Sequence, residues 1–148
     1  MTMHRACPCC RRSALAVIAA GFTAFAARVA AAPAKHRPFI EAAFKAKGEA
    51  VRAGDQAYGA VVVKDGRIIG YGPSRVISKQ DWNAHAEREA ILDAQARLGR
   101  ADLSGCLLYS SSRPCAACEA AAAKANIARM YHGSEATDAG APRGRGGA

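Results

Sequence analysis

Aromatic side chains are scarce in this 148-residue chain, at 6% with a single tryptophan. Acid is scarce beside base, with 12 Asp and Glu against 21 Lys and Arg and a formal charge of +9. Half the residues are apolar, but much of that share is alanine, a helix former that buries little surface. The balance excludes a disordered or fibrous chain and points to one soluble α/β domain. Four arginines (Arg5, Arg11, Arg12, Arg28) fall in the first 31 residues, so the remainder is only mildly basic. That permits a nucleic-acid partner without demanding one. The six cysteines divide into Cys7, Cys9 and Cys10 near the start and Cys106, Cys115 and Cys118 in the body. An odd body count argues against a disulfide framework.

Residues 1–31 have the pattern of an export signal. Arg11-Arg12 closes a basic region, an apolar run follows from Ala14 to Ala27, and Val29-Ala30-Ala31 offers small residues for cleavage. The arginine pair points to the twin-arginine route and a periplasmic destination. The run is short and alanine-rich for a membrane span, so no stable insertion is expected after cleavage. An uncleaved anchor, or a misplaced start codon that would leave the protein cytoplasmic, are the alternatives.

The body, 32–133, alternates helical and strand patterns. Helical spacing of Phe39, Ala43, Ala46 and Ala50 predicts a helix over 38–53. Two β-prone runs, 58–63 and 67–71, flank Asp65-Gly66, which predicts a hairpin. Residues 72–83 are expected to be a loop. A second helix is expected over 85–98, with Asn83 as N-cap and Gly99 as stop. A strand over 106–110, a helix from Pro114 to Ala125 and a strand over 129–132 complete the series. Gly/Arg-rich residues 134–148 carry no helix or strand pattern and are expected to form a flexible tail. The order α-β-β-α-β-α-β implies a mixed sheet, parallel in its second half, with helices on both faces.

Two short motifs carry the chemistry. Residues 84–89 are Ala-His-Ala-Glu-Arg-Glu, and residues 113–119 are Arg-Pro-Cys-Ala-Ala-Cys-Glu. Cys115 and Cys118 share one face of a first helical turn, where the helix dipole favours thiolate. With His85 from the other helix they offer two sulfurs and one nitrogen to a metal. Three ligands leave a tetrahedral zinc one place for water, whose pKa zinc lowers to about 7. Glu87 aligns with Ile91, Ala94 and Leu98 on the expected buried stripe, where a carboxylate needs a task. Proton transfer beside the metal would supply one. Glu89 falls off that stripe and is expected to be solvated.

The pair His-Ala-Glu and Pro-Cys-x-x-Cys, about 30 residues apart, resembles the signature of the zinc-dependent cytidine and purine deaminases. Gly59-Ala60-Val61-Val62-Val63, Leu108-Tyr109-Ser110 and Tyr131-His132-Gly133 extend the likeness over 38–133. Within that family the motifs resemble those of guanine deaminases and tRNA adenosine deaminases.

The resemblance implies a three-layer α/β/α fold with a mixed sheet of four or five strands, and a homodimer. His85, Cys115 and Cys118 would bind Zn2+, Glu87 would shuttle the proton, and Ser74 and Ala86 would contact the substrate. The expected reaction is hydrolytic deamination of a nucleobase or nucleoside, guanine-type first. Deamination of adenosine in tRNA, or a catalytically impaired zinc-binding paralogue, are the alternatives.

Three departures stand out. Ser74 stands where relatives often carry asparagine, Ser112-Arg113 where they often carry Cys-Glu, and the chain shows no pattern for the helix and strand with which they continue. Other readings of single motifs also exist. A redox pair at Cys115 and Cys118 would leave His85 and Glu87 idle. A purely structural zinc would require a fourth ligand such as His132 or Cys106. Trp82 would either stack on a base or only pack, and Arg113 would either meet a phosphate or face solvent.

Overall fold

A computed structural model describes residues 33–144 of the chain. The elements run α1 (Arg37–Arg52), β1 (Gly59–Lys64), β2 (Arg67–Pro73), α2 (Val76–Lys79), α3 (Ala86–Leu98), β3 (Leu107–Ser110), α4 (Ala116–Lys124), β4 (Arg129–His132) and β5 (Thr137–Gly140). The sheet order is β2-β1-β3-β4-β5. β1 pairs antiparallel with both β2 and β3, β3 runs parallel to β4, and β4 pairs antiparallel with β5. The parallel pair is joined through α4, as the crossover rule requires.

The strands are apolar on both faces because helices cover both. Along β1, Ala60 and Val62 pack with α3 and α4 residues such as Ala90, Ile91 and Ala122. Val61 and Val63 pack with Ile40 of α1, Tyr109 and Ala136. The expected three-layer α/β/α arrangement is what the chain adopts.

Small residues set how closely the layers meet. A Cβ on Gly59 would collide with the backbone of α1 at Ala43 and Lys47. A Cβ on Gly72 would collide with the α3 backbone at Ala86 and Ala90, and one on Gly70 with Ala90 and Ala94. The alanine-rich helices therefore lie almost in backbone contact with the sheet. In the hairpin, Asp65 (φ 48°) and Gly66 (φ 72°) both take the left-handed conformation, which suits a tight Asp-Gly turn.

Four local expectations are corrected. The segment expected to be a loop contains α2, whose N-terminal amides are held by a distant carboxylate described below. The tail expected to be flexible contains edge strand β5, which exists by pairing with β4 and by an Arg129–Asp138 bridge at 3.0 Å rather than by propensity. Leu98 is 37% exposed, so the buried stripe of α3 ends at Ala94. Glu89 is nearly covered and pairs with Lys79 at 2.8 Å and Arg75 at 3.6 Å, because α2 packs over it. No described helix is long and apolar enough to cross a membrane. The expected export segment lies outside the described residues.

Candidate metal centre and its cavity

His85 and Cys115 occupy equivalent places. Each is the extended residue that caps a helix, His85 before α3 (ψ 153°) and Cys115 before α4 (ψ 166°). Asn83, expected to cap α3, instead has its amide bonded to the Asp81 carboxylate at 2.8 Å. Helix α4 likewise starts at Ala116, after Pro114. Both helix beginnings lie on the same side of the sheet, which draws the two motifs together.

The His85 Nδ1 atom lies 3.7 Å from Cys115 Sγ and 3.5 Å from Cys118 Sγ. All three donor atoms fall within 4.8 Å of one another. A zinc ion with ordinary bond lengths and tetrahedral angles would hold a nitrogen and a sulfur ligand about 3.6 Å apart. The donor set therefore fits zinc in spacing as well as in chemistry.

Charge gives the same answer. Glu87 is 5% exposed, and its Oε2 accepts the Cys118 thiol at 3.3 Å. Burial pushes the Glu87 carboxyl above its ordinary range. Burial, the Glu87 carboxylate and Cys115 push the Cys118 thiol far above its own. Burial thus disfavours the charged forms of Glu87 and Cys118, and a divalent cation beside them would favour those forms.

Beside these residues opens a cavity of about 450 Å³, lined in part by His85, Glu87 and Cys115. Tyr58 and Trp82 lie on its rim, Trp82 being 81% exposed. Gln56, Ser112 and Arg113 complete the wall. Of these, Gln56 and Tyr58 carried no signal in the sequence, since the α1–β1 connection reaches the site only through folding.

Two expected substrate contacts are not on this wall. Ser74 is 2% exposed, and its hydroxyl donates to Asp55 Oδ1 at 3.1 Å. The Ala86 side chain is buried in the core between α3 and the sheet. Both side chains face inward, Ser74 toward Asp55 and Ala86 into the core beside Ala90. His36 lies apart from the cavity, buried against Tyr109 and Tyr131.

The profile of the cytidine and deoxycytidylate deaminase zinc-binding region matches residues 33–134. This chain belongs to that deaminase family. Guanine deaminase of Bacillus subtilis (strain 168) is 40% identical over 105 residues, which are 70% of this chain and 67% of that protein. The tRNA-specific adenosine deaminase of Agrobacterium fabrum is 36% identical over 108 residues, 73% and 71% of the two chains. The X-ray structure of the Bacillus guanine deaminase superposes with a TM-score of 0.64 at 38% identity, over 67% of this deaminase chain and 64% of that one. This deaminase thus spans about two thirds of the length of those relatives. The family's metal is zinc, and the His85, Cys115 and Cys118 group is the described cluster that could hold a metal ion.

Proposed function

We propose that this deaminase hydrolyses the exocyclic amine of a nucleobase or nucleoside, guanine-type first, with His85, Cys115 and Cys118 as its zinc ligands. The observation that carries the proposal is the position of Glu87. Its carboxylate is buried, stands within 3.3 Å of a ligand sulfur, and still reaches the open cavity. When bound, zinc supplies a Lewis acid that makes water a nucleophile near neutral pH.

Glu87 accepts the proton that water loses as its oxygen bonds to the amino-bearing ring carbon. It passes that proton to the adjacent ring nitrogen, and the proton left on the attacking oxygen then goes to the amine as the C–N bond breaks and the C=O bond forms. Water is consumed, ammonia leaves and a keto base remains, with no change of oxidation state.

Ammonia release from a panel of free bases and nucleosides, run with zinc-loaded protein, tests this directly. Release from at least one member, lost in Glu87→Ala, is the expected result; release that persists in Glu87→Ala rejects the mechanism. Including an anticodon stem-loop with adenosine in the panel covers the tRNA reading, which the Agrobacterium relative supports.

Export through the twin-arginine route rests on Arg11-Arg12 and the apolar run after them. Fractionation of cells producing the full chain, with Arg11-Arg12 changed to Lys-Lys as control, tests it. The homodimer rests on the family resemblance, and light scattering on the purified chain tests that.

A further inference from the structure

We infer that Gln56 reads the hydrogen-bonding edge of the base, and that this edge pairs a donor with an acceptor, as an amide or amidine does. The inference rests on the cavity being the substrate site proposed above. Gln56 carries the only carboxamide on the cavity wall among the described residues. Its side chain is half-buried and forms no hydrogen bond among the described residues; the bonds of this residue come from its backbone. A carboxamide left unpaired at a cavity wall retains two donor hydrogens and one acceptor oxygen for a ligand.

The backbone that presents Gln56 is fixed from both sides. The Gln56 amide donates to Asp55 Oδ1 at 2.8 Å, and the Gln56 carbonyl accepts the Tyr58 amide at 2.7 Å. Asp55 is itself locked by the Ser74 hydroxyl and by the amides of Ile77 and Ser78. Three positions after Gln56, Gly59 exchanges hydrogen bonds with Ser111, at 3.1 Å to the hydroxyl and 2.8 Å from its amide. The carboxamide is therefore held on a rigid connection, which is what discrimination between similar ligands requires.

The other wall residues are less suited to the task. Glu87 and His85 belong to the reacting centre. Tyr58 offers a ring and a single hydroxyl and Trp82 a ring and a single N–H, so neither pairs two adjacent edge atoms at once. Arg113 is exposed and presents donors only. Ser112 has one hydroxyl, enough for a single atom. A carboxamide pairs two adjacent atoms at once and leaves its own groups unsatisfied when the partner edge is wrong.

The single tryptophan makes the test direct, because Trp82 lies on the same cavity and its emission reports occupancy independently of turnover. Zinc-loaded full-length protein is titrated with guanine, adenine, cytosine and 9-methylpurine, which has acceptors but no donor. Wild type should bind one of the three bases more tightly than 9-methylpurine. In Gln56→Ala that preference should fall about tenfold, through Kd and KM with little change in kcat, while 9-methylpurine binding stays as it was. Gln56→Glu, of equal length without the donors, should lose the preference too, and Gln56→Asn should keep part of it. Equal weakening of all four ligands, an unchanged preference, or no response of Trp82 to any base overturns the inference. If binding discriminates through Gln56 but no ammonia is released, the proposed reaction fails and Gln56 stands. If ammonia is released and Gln56→Ala leaves the preference intact, the reverse holds.

Discussion

The Ser74 hydroxyl donates to Asp55 Oδ1 at 3.1 Å, and that bond joins the end of β2 to the loop that follows α1. Asp55 gathers more donors than Ser74 alone: the amides of Gln56 at 2.8 Å, Ser78 at 2.9 Å and Ile77 at 3.3 Å. It thus serves as a cap for α2 from 22 residues away, and sets the backbone from which Gln56 faces the cavity.

Asp55 makes the fold acid-sensitive. Burial alone would raise its carboxyl, but the amides of Ser78, Gln56 and Ile77 outweigh burial and hold it well below the usual carboxylate range. A group depressed in the folded state stabilises above the unfolded pKa and loses that contribution as pH falls toward the folded value. Stability should therefore decline as pH drops below about 4. Asp55→Asn should cost about 2 kcal/mol at pH 7 and flatten that acid limb. Urea melts of both proteins between pH 3 and 7 measure both effects; an equally steep limb in the variant rejects the assignment.

His36 gives a second pH response in a different window. Its Nδ1 shares a hydrogen bond with the Tyr109 hydroxyl at 2.8 Å, and its ring lies 4.4 Å from that of Tyr131. Burial and the Lys35 charge lower its pKa, and Asp138 only partly opposes them. The unfolded chain then takes up a proton that the folded chain refuses, so stability falls as pH drops below about 6.5. His36→Gln, which can keep the bond to Tyr109, should remove that slope between pH 7 and 5 with little loss of stability at pH 8. Thermal melts across the range settle the matter.

Much of the metal centre was legible because its chemistry is local. His85 and Glu87 lie two residues apart, and Cys115 and Cys118 three, each pair at a helix beginning that the helical pattern exposes. What folding brings from afar was not legible. Gln56 belongs to a connection with no periodicity, α2 is held by a carboxylate from another segment, and β5 exists only because β4 offers an edge. The family resemblance gave Ser74 as a substrate contact, whereas in the fold its hydroxyl is buried and donates to Asp55.

Removing the metal should unload both activity and stability. With zinc at a thousandfold excess over its dissociation constant, binding contributes about 4 kcal/mol. Chelation should therefore abolish ammonia release and lower Tm by several degrees, both restored by zinc. Cys118→Ser should lower metal content far more than Glu87→Gln, since Glu87 is outside the proposed ligand set. Glu87→Gln should keep its zinc while losing roughly 10² to 10⁴ in kcat. Metal analysis of the three proteins separates the roles; zinc lost equally from both variants would make Glu87 a ligand.

The last prediction concerns a residue that touches no ligand. Gly72 lies under α3 where a Cβ would meet the Ala86 carbonyl and the Ala90 backbone, and backbone cannot step aside as a flexible side chain can. Gly72→Ala must therefore push the first turn of α3 off the sheet, at about 3 kcal/mol. His85 immediately precedes that turn, so the displacement should carry its imidazole away from Cys115 and Cys118, which sit on α4. Zinc affinity should fall along with stability. Gly66→Ala is the matched control. Gly66 has φ 72° and open space around it, so alanine there meets only backbone strain of about 1 kcal/mol. It should lower Tm modestly and leave zinc affinity unchanged. If the two variants lose zinc in proportion to stability alone, the contact between β2 and α3 does not position the metal ligands.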